Sequence, residues 1–137
     1  MNFAGMNLFA IPLAALAAFV WGALYYNLLS KPWMRAARLD REAVRARPIG
    51  PMLVVSFLAE LVMAWVLAGL IGHLGAGQVT LRNGLISGLF VWAGFMATAL
   101  AVNHRYEGFG WDLTLIDAGH WLGVALVMGA IIGAMGV

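Results

Sequence analysis

The sequence predicts an all-α membrane protein: a bundle of four transmembrane helices with a short helix lying on the cytoplasmic surface. Three observations carry that reading. Hydrophobic residues make up 64% of the 137 residues and charged residues only 10%, whereas a soluble domain carries about 25% charged residues. Four segments, at 8–29, 51–74, 83–102 and 113–135, are each long enough to cross a bilayer, because about 20 apolar residues span roughly 30 Å of hydrocarbon. The basic residues crowd into one connection, 31–48. A water-soluble chain of this length has too much surface for its volume to hide so much apolar area. Lipid is therefore the expected solvent, and the chain reads as a single membrane domain.

All four spans are expected to be helices, since four strands cannot close a barrel and lipid cannot satisfy an open backbone. Residues 1–11 hold no positive charge, and the apolar run after them is too long for a signal-peptide core, so the first segment reads as a retained span. Pro12 falls in its opening turns, where a missing N–H costs little. The connection 31–48 holds Lys31, Arg35, Arg38, Arg41, Arg45 and Arg47, six of the eight basic residues. Ser30 can cap a helix there, Pro32 suits its first turn and Pro48 stops it. Arg38 and Glu42 stand four apart, a spacing that supports helix between them. With Trp33 at the membrane boundary, Arg35, Arg38, Arg41 and Arg45 form a surface for anionic lipid headgroups or a partner protein. The same charges also read as a solvated loop that sets topology. Pro51 opens the second span.

The other connections are short. The one at 75–82 is glycine-rich and carries Arg82, and the one at 104–112 carries Arg105. Alternating topology places seven Lys and Arg residues on one side and Arg82 alone on the other. The positive-inside rule assigns the basic side to the cytoplasm and both termini to the outside of a bacterial inner membrane. Because topology accounts for the basic charge, no nucleic-acid partner is implied. The tripeptide Phe19-Val20-Trp21 returns as Phe90-Val91-Trp92. The spacing from each to Asn27 and Asn103 differs, so no internal repeat is argued from it.

An ionisable residue inside a span is a functional hypothesis by default. Glu60 lies nine residues past Pro51, roughly 13 Å deep at helical rise, with Ser56 one turn earlier on the same face. Asp117 and His120 are three apart in the fourth span and share a face, so His120 and Glu60 can meet if spans two and four are neighbours. Asn103 ends the third span, and Tyr25, Tyr26 and Asn27 end the first. These groups all fall in the cytoplasmic half, which predicts a polar pocket open to the cytoplasm. The competing reading is a buried hydrogen-bond network that fixes helix order, although such bonds average only about 0.6 kcal/mol in membranes.

Sharper chemistry finds little support. The chain has no cysteine, which excludes a disulfide framework, a thiolate metal site and a thiol nucleophile. His73, His104 and His120 lie at different depths, so a bis-histidine haem is not expected. Glu60, Asp117 and His120, or His104 with Glu107, lack a specific metal-ligand spacing. No phosphate loop or nucleophile elbow is present, so neither cofactor nor enzymatic activity is expected. The glycine pairs Gly84/Gly88, Gly119/Gly123 and Gly129/Gly133 are each four apart and let helices approach closely. The last pair suits packing within the bundle or contact between chains.

The first span ends in Gly22-Ala23-Leu24-Tyr25-Tyr26, followed by Lys31 and Trp33-Met34; Asn103 and Tyr106-Glu107-Gly108 follow the third, and Ile116-Asp117-Ala118-Gly119 lies in the fourth. Through these motifs nearly the whole chain resembles the family of bacterial membrane proteins grouped as domain of unknown function 1761. The resemblance implies four spans and a membrane location, and implies no activity. Two functional classes follow. One is a small binding or transport-like protein, expected as a homo-oligomer, that uses the pocket around Glu60, Asn103, Asp117 and His120. The other is an accessory or structural subunit of a larger membrane complex with no chemistry of its own.

Overall fold

The computed structural model describes residues 6–136. The first five residues, on which the reading of an uncleaved N-terminus partly rests, lie outside the described residues, as does Val137. All regular structure among the described residues is helical. Four helices are long and apolar enough to cross a membrane: Ala10–Leu28, Ile49–Gly72, Leu81–Tyr106 and Trp111–Met135. The protein is therefore a multi-pass membrane protein.

In chain order, α1 is Ala10–Leu28, α2 is Ser30–Ala36, α3 is Arg41–Arg45 and α4 is Ile49–Gly72. The third span comprises α5 (Leu81–Val91), a π-helical stretch (Trp92–Ala97) and α6 (Thr98–Tyr106), and α7 is Trp111–Met135. The prolines sit where their chemistry allows. Pro12 and Pro51 fall in the first turns of α1 and α4, where no intrahelical partner is lost.

The α7 helix is the centre of the bundle. It packs against the third span on one side and α1 on the other, while α4 lies mainly against α1. The third span meets α7 backbone to backbone. A Cβ added at Gly84 or Gly129 would run into the other's carbonyl, one at Gly88 would meet the carbonyl of Ala125, and one at Gly133 that of Thr80. On the opposite face, Gly119 and Gly123 leave notches that receive Tyr25 and Trp21 of α1. All three glycine pairs thus make contacts inside one chain.

Away from the arginine-rich connection, the core is wholly apolar. Ala10, Ile11, Ala14, Ala15 and Ala18 pack with Ala64, Leu67, Ala68, Ile71, Val124, Met128 and Ile132. At the arginine-rich end α4 separates from its neighbours, and residues 49–56 are all exposed.

The arginine-rich connection departs from the single helix expected. It holds two short helices with a break at Arg38, whose φ is 58°. The break falls between Arg38 and Glu42, so that spacing supports no helix. Ser30 is the first residue of α2 and makes no side-chain cap there. Asp40 is the working cap, its Oδ1 accepting from the Ala43 N–H at 2.7 Å. Arg38 instead donates from Nη2 to the Gly108 carbonyl at 2.7 Å and lies over the Phe109 ring. That bond ties the first connection to the third, so both lie at one end of the bundle. Arg35, Arg41 and Arg45 remain exposed, but Trp33 is half-buried and packs edge-on against Tyr26 at 5.9 Å.

Gly84→Val should force α5 away from α7 and lower stability by at least about 1–3 kcal/mol, the usual cost of overpacking. Gly69→Ala, where an added Cβ meets nothing within 4 Å, should not. Thermal unfolding in detergent, followed by circular dichroism, compares the two.

Candidate functional site

Hydrocarbon offers no hydrogen bonds, so each polar side chain entering it must find a protein partner or go without. Near the arginine-rich end, the aromatic residues of α1 and the third span find theirs on the α7 backbone. Tyr25 donates to the Ile116 carbonyl at 2.7 Å, Trp21 Nε1 to the His120 carbonyl at 3.0 Å, and Trp92 Nε1 to the Ala118 carbonyl at 2.8 Å. Glycine is what lets α1 come near enough, since Gly119 lies under the Tyr25 hydroxyl and Gly123 under the Trp21 indole. The repeated Phe-Val-Trp tripeptide thereby acquires a structural meaning. Its two tryptophans grip α7 from two different helices.

A second set of bonds is made between side chains. Tyr26 donates to Asp117 Oδ1 at 2.7 Å, and His104 Nε2 stands 3.6 Å from Asp117 Oδ2. His104 Nδ1 lies 3.0 Å from Thr114 Oγ1. Arg105 Nη2 donates to Thr114 Oγ1 at 2.6 Å and to the Gly110 carbonyl at 2.8 Å, with its guanidinium 3.9 Å above the Trp111 ring. With Arg105 donating to it, Thr114 can donate to His104 Nδ1, which leaves the Nε2–H facing Asp117. This chain joins α6, α7 and α1, and it bonds Asp117 through Oδ1 while His104 faces Oδ2.

Two titratable residues stand outside this network. Glu60 is 3% exposed, and its Oε2 is enclosed without a hydrogen-bond partner. His120 is 6% exposed, and its Nδ1 likewise has none. The His120 ring is packed among Tyr26 at 4.8 Å, Tyr25 at 5.8 Å and Trp121 at 4.7 Å between centroids. Gly22 makes room for it, because a Cβ there would stand 2.9 Å from Nε2. No hydrogen bond or ion pair joins Glu60 to His120, so the meeting anticipated from helical depth is not made as a direct bond.

The expected polar group thus divides into three. Asp117, Tyr25 and Tyr26 are satisfied, and Glu60 and His120 are buried without full partners. Ser56, Asn27 and Asn103 are exposed and do not join them. Ser56 bonds its own helix at the Met52 carbonyl, and Asn27 bonds the Ala23 carbonyl. Ser56 shares a face with Glu60, but it lies on the turns of α4 that stand clear of the bundle. The structure also supplies members that sequence reasoning missed: His104, Arg105 and Thr114. His104 and Arg105 fall in the connection 104–112 of the sequence reading and Thr114 at the start of the fourth span, and only the extension of helix to Tyr106 carries His104 under α7. Among the described residues, no three His, Cys, Asp or Glu side chains come together as metal ligands.

The sequence model of a family described as "Protein of unknown function (DUF1761)" matches residues 9–133. No curated protein and no solved structure matches the chain.

Tyr26→Phe removes one hydrogen bond and should cost about 0.6 kcal/mol, at most about 1.7, in the range of intramembrane side-chain bonds. Asp117→Ala should cost clearly more, because it strands both the Tyr26 hydroxyl and the His104 imidazole. Melting of the two variants in one detergent gives the order.

Proposed function

The chain belongs to the DUF1761 family, and for it we propose a non-enzymatic binding protein of the bacterial inner membrane, whose ligand reaches Glu60 and His120 from the cytoplasmic, arginine-rich end. The ligand class is a small polar molecule, an ion or a proton. One observation supports this reading above the rest: two buried titratable side chains, Glu60 Oε2 and His120 Nδ1, have no partner in the protein.

The alternative assigned these residues to a lock that fixes helix order. The structure contains such a lock, but it is built from Asp117, Tyr26, His104 and Thr114 and makes no bond to Glu60. A carboxyl buried in a membrane span is costly to insert. Glu60 offsets none of that cost through bonds of its own, which favours a role outside folding. Topology supports the direction of approach. The seven Lys and Arg residues of the first and third connections mark the cytoplasmic side by the positive-inside rule, and both termini then face outward. Exposed Arg35, Arg41 and Arg45 suit the anionic headgroups of that leaflet.

Glu60→Gln keeps the side chain's shape and should leave insertion and thermal stability unchanged while abolishing binding. Native mass spectrometry of the protein in mild detergent checks this. A bound non-protein mass in the wild type that is absent from Glu60→Gln is the expected result for a molecular ligand. A foreign subunit at fixed stoichiometry, equally present with both proteins, would instead make the chain an accessory subunit. A Glu60→Gln protein that unfolds would return Glu60 to a structural role.

A further inference from the structure

We infer that Glu60 is a proton-binding site in the membrane core that fills and empties from the arginine-rich end by way of His120. The inference rests on the reading above that Glu60 and His120 form a binding site, and it names the occupant.

The argument begins with what Glu60 lacks. Its Oε2 is enclosed and unpartnered, and an unpaired carboxylate in such a medium is so unfavourable that the group takes a cation or a proton. A metal ion needs several ligands, six to eight oxygens for calcium and about four donors for zinc. Around Glu60 there is no such set, since among the described residues no three His, Cys, Asp or Glu side chains converge. Its surroundings are apolar: Ala64 follows one turn on, and the Phe19–Phe57 ring pair lies one turn before. A proton needs one oxygen and no further ligand.

Access is one-sided. Beyond Glu60, the buried face of α4 continues as Ala64, Leu67, Ala68 and Ile71, closed by Val124, Met128 and Ile132 of α7. Among the described residues, the buried polar side chains are Glu60, His104, Thr114 and His120, and none lies on that stretch. Before Glu60, no residue of α4 from 49 to 59 is buried, so α4 sets no comparable apolar seal between the carboxyl and the arginine-rich end.

The groups that could pass a proton can be enumerated. Glu60 is the one titratable residue of α4, and α4 packs against α1, α5 and α7. The α1 helix brings Tyr25 and Tyr26, α5 brings Arg82 at the far end, and α7 brings Asp112, Asp117 and His120. Asp117 and both tyrosines are already hydrogen-bonded. Asp112 accepts from the Leu113 N–H at the mouth of α7. Of these groups on α1, α5 and α7, His120 keeps a buried nitrogen without a partner. It lies nine residues into α7, about 13 Å by helical rise, and Glu60 eleven residues into α4, about 16 Å. His120 is therefore the group nearest in depth to Glu60. Imidazole can take a proton at one nitrogen and release one from the other.

The test uses dicyclohexylcarbodiimide on the full chain in lipid vesicles, with peptide mass spectrometry to find the adduct. This apolar reagent adds to a protonated carboxyl. The acid proton goes to a carbodiimide nitrogen, the carboxyl oxygen bonds the central carbon, and acyl transfer to nitrogen leaves a stable acylurea with nothing expelled. Glu60 should be modified in acid and lose its labelling at alkaline pH, while Asp117, held by Tyr26, stays unmodified. His120→Gln should still label at acid equilibrium but respond more slowly to a pH jump. Labelling of Asp117 with Glu60 untouched, labelling indifferent to pH, or an unchanged response in His120→Gln each overturns the proposal. Should His120→Gln not fold, Gly22→Ala, which presses on His120 Nε2, serves in its place. Glu60 resistant to the reagent but carrying a bound molecule in native mass spectrometry refutes the proton and keeps the binding site. Neither adduct nor bound molecule refutes both.

Discussion

How near a neighbour can come to α7 governs the rest of this bundle. Two helices bearing ordinary side chains stand 8–10 Å apart. The third span comes closer, because Gly84 and Gly88 face Ala125, Gly129 and Gly133 with no Cβ between their backbones at the glycine contacts. In lipid there is no hydrophobic force to press helices together, so this contact area is the main attraction available. It also explains why the third span, which buries few of its side chains, still holds its place. Little of it faces the core, but what does face α7 is backbone.

The opposite face of α7 uses the same device for a different end. There Gly119 and Gly123 admit aromatic rings rather than a helix, and each ring brings an N–H or O–H that needs an acceptor. The α7 carbonyls provide it, and Trp92 does the same from the third span. The polar ends of large aromatic residues are thereby satisfied deep in the protein, where water is not available. Gly22 continues the pattern by leaving room for the His120 ring. One helix with small residues on two faces thus accounts for the packing, the placement of the tryptophans and the shape of the polar region.

Within that region the contrast between satisfied and unsatisfied groups is more informative than the number of polar residues. Asp117 is bonded to Tyr26 and faces His104, and its energetics are those of a structural clamp. Glu60 and His120 have the burial of core residues without the bonds. Partnerless buried groups are rare in native proteins and call for an explanation. Here the explanation offered is an occupant that comes and goes. In that proposal the apolar seal on one side of Glu60, which α4 does not repeat on the other, gives the exchange its direction.

Composition and periodicity were sufficient for the large-scale features. Apolar runs about as long as a bilayer is thick, separated by short polar connections, are a one-dimensional property, so four spans were legible directly. So were the proximity of glycines four apart and the burial of Glu60. Helix partners were not legible, because a glycine pair states that something approaches and not what. Exposure of Ser56 depended on α4 standing away from the bundle, which no local spacing encodes. His104 seemed to belong to a connection until its helix ran on to Tyr106 and brought it beneath Asp117. The sequence by itself determined the solvent, the number of crossings and the residues costly to bury. Only the tertiary structure decided which of those residues are satisfied, because a hydrogen bond depends on the distance between helices, and that distance is set by neighbours far apart in the chain.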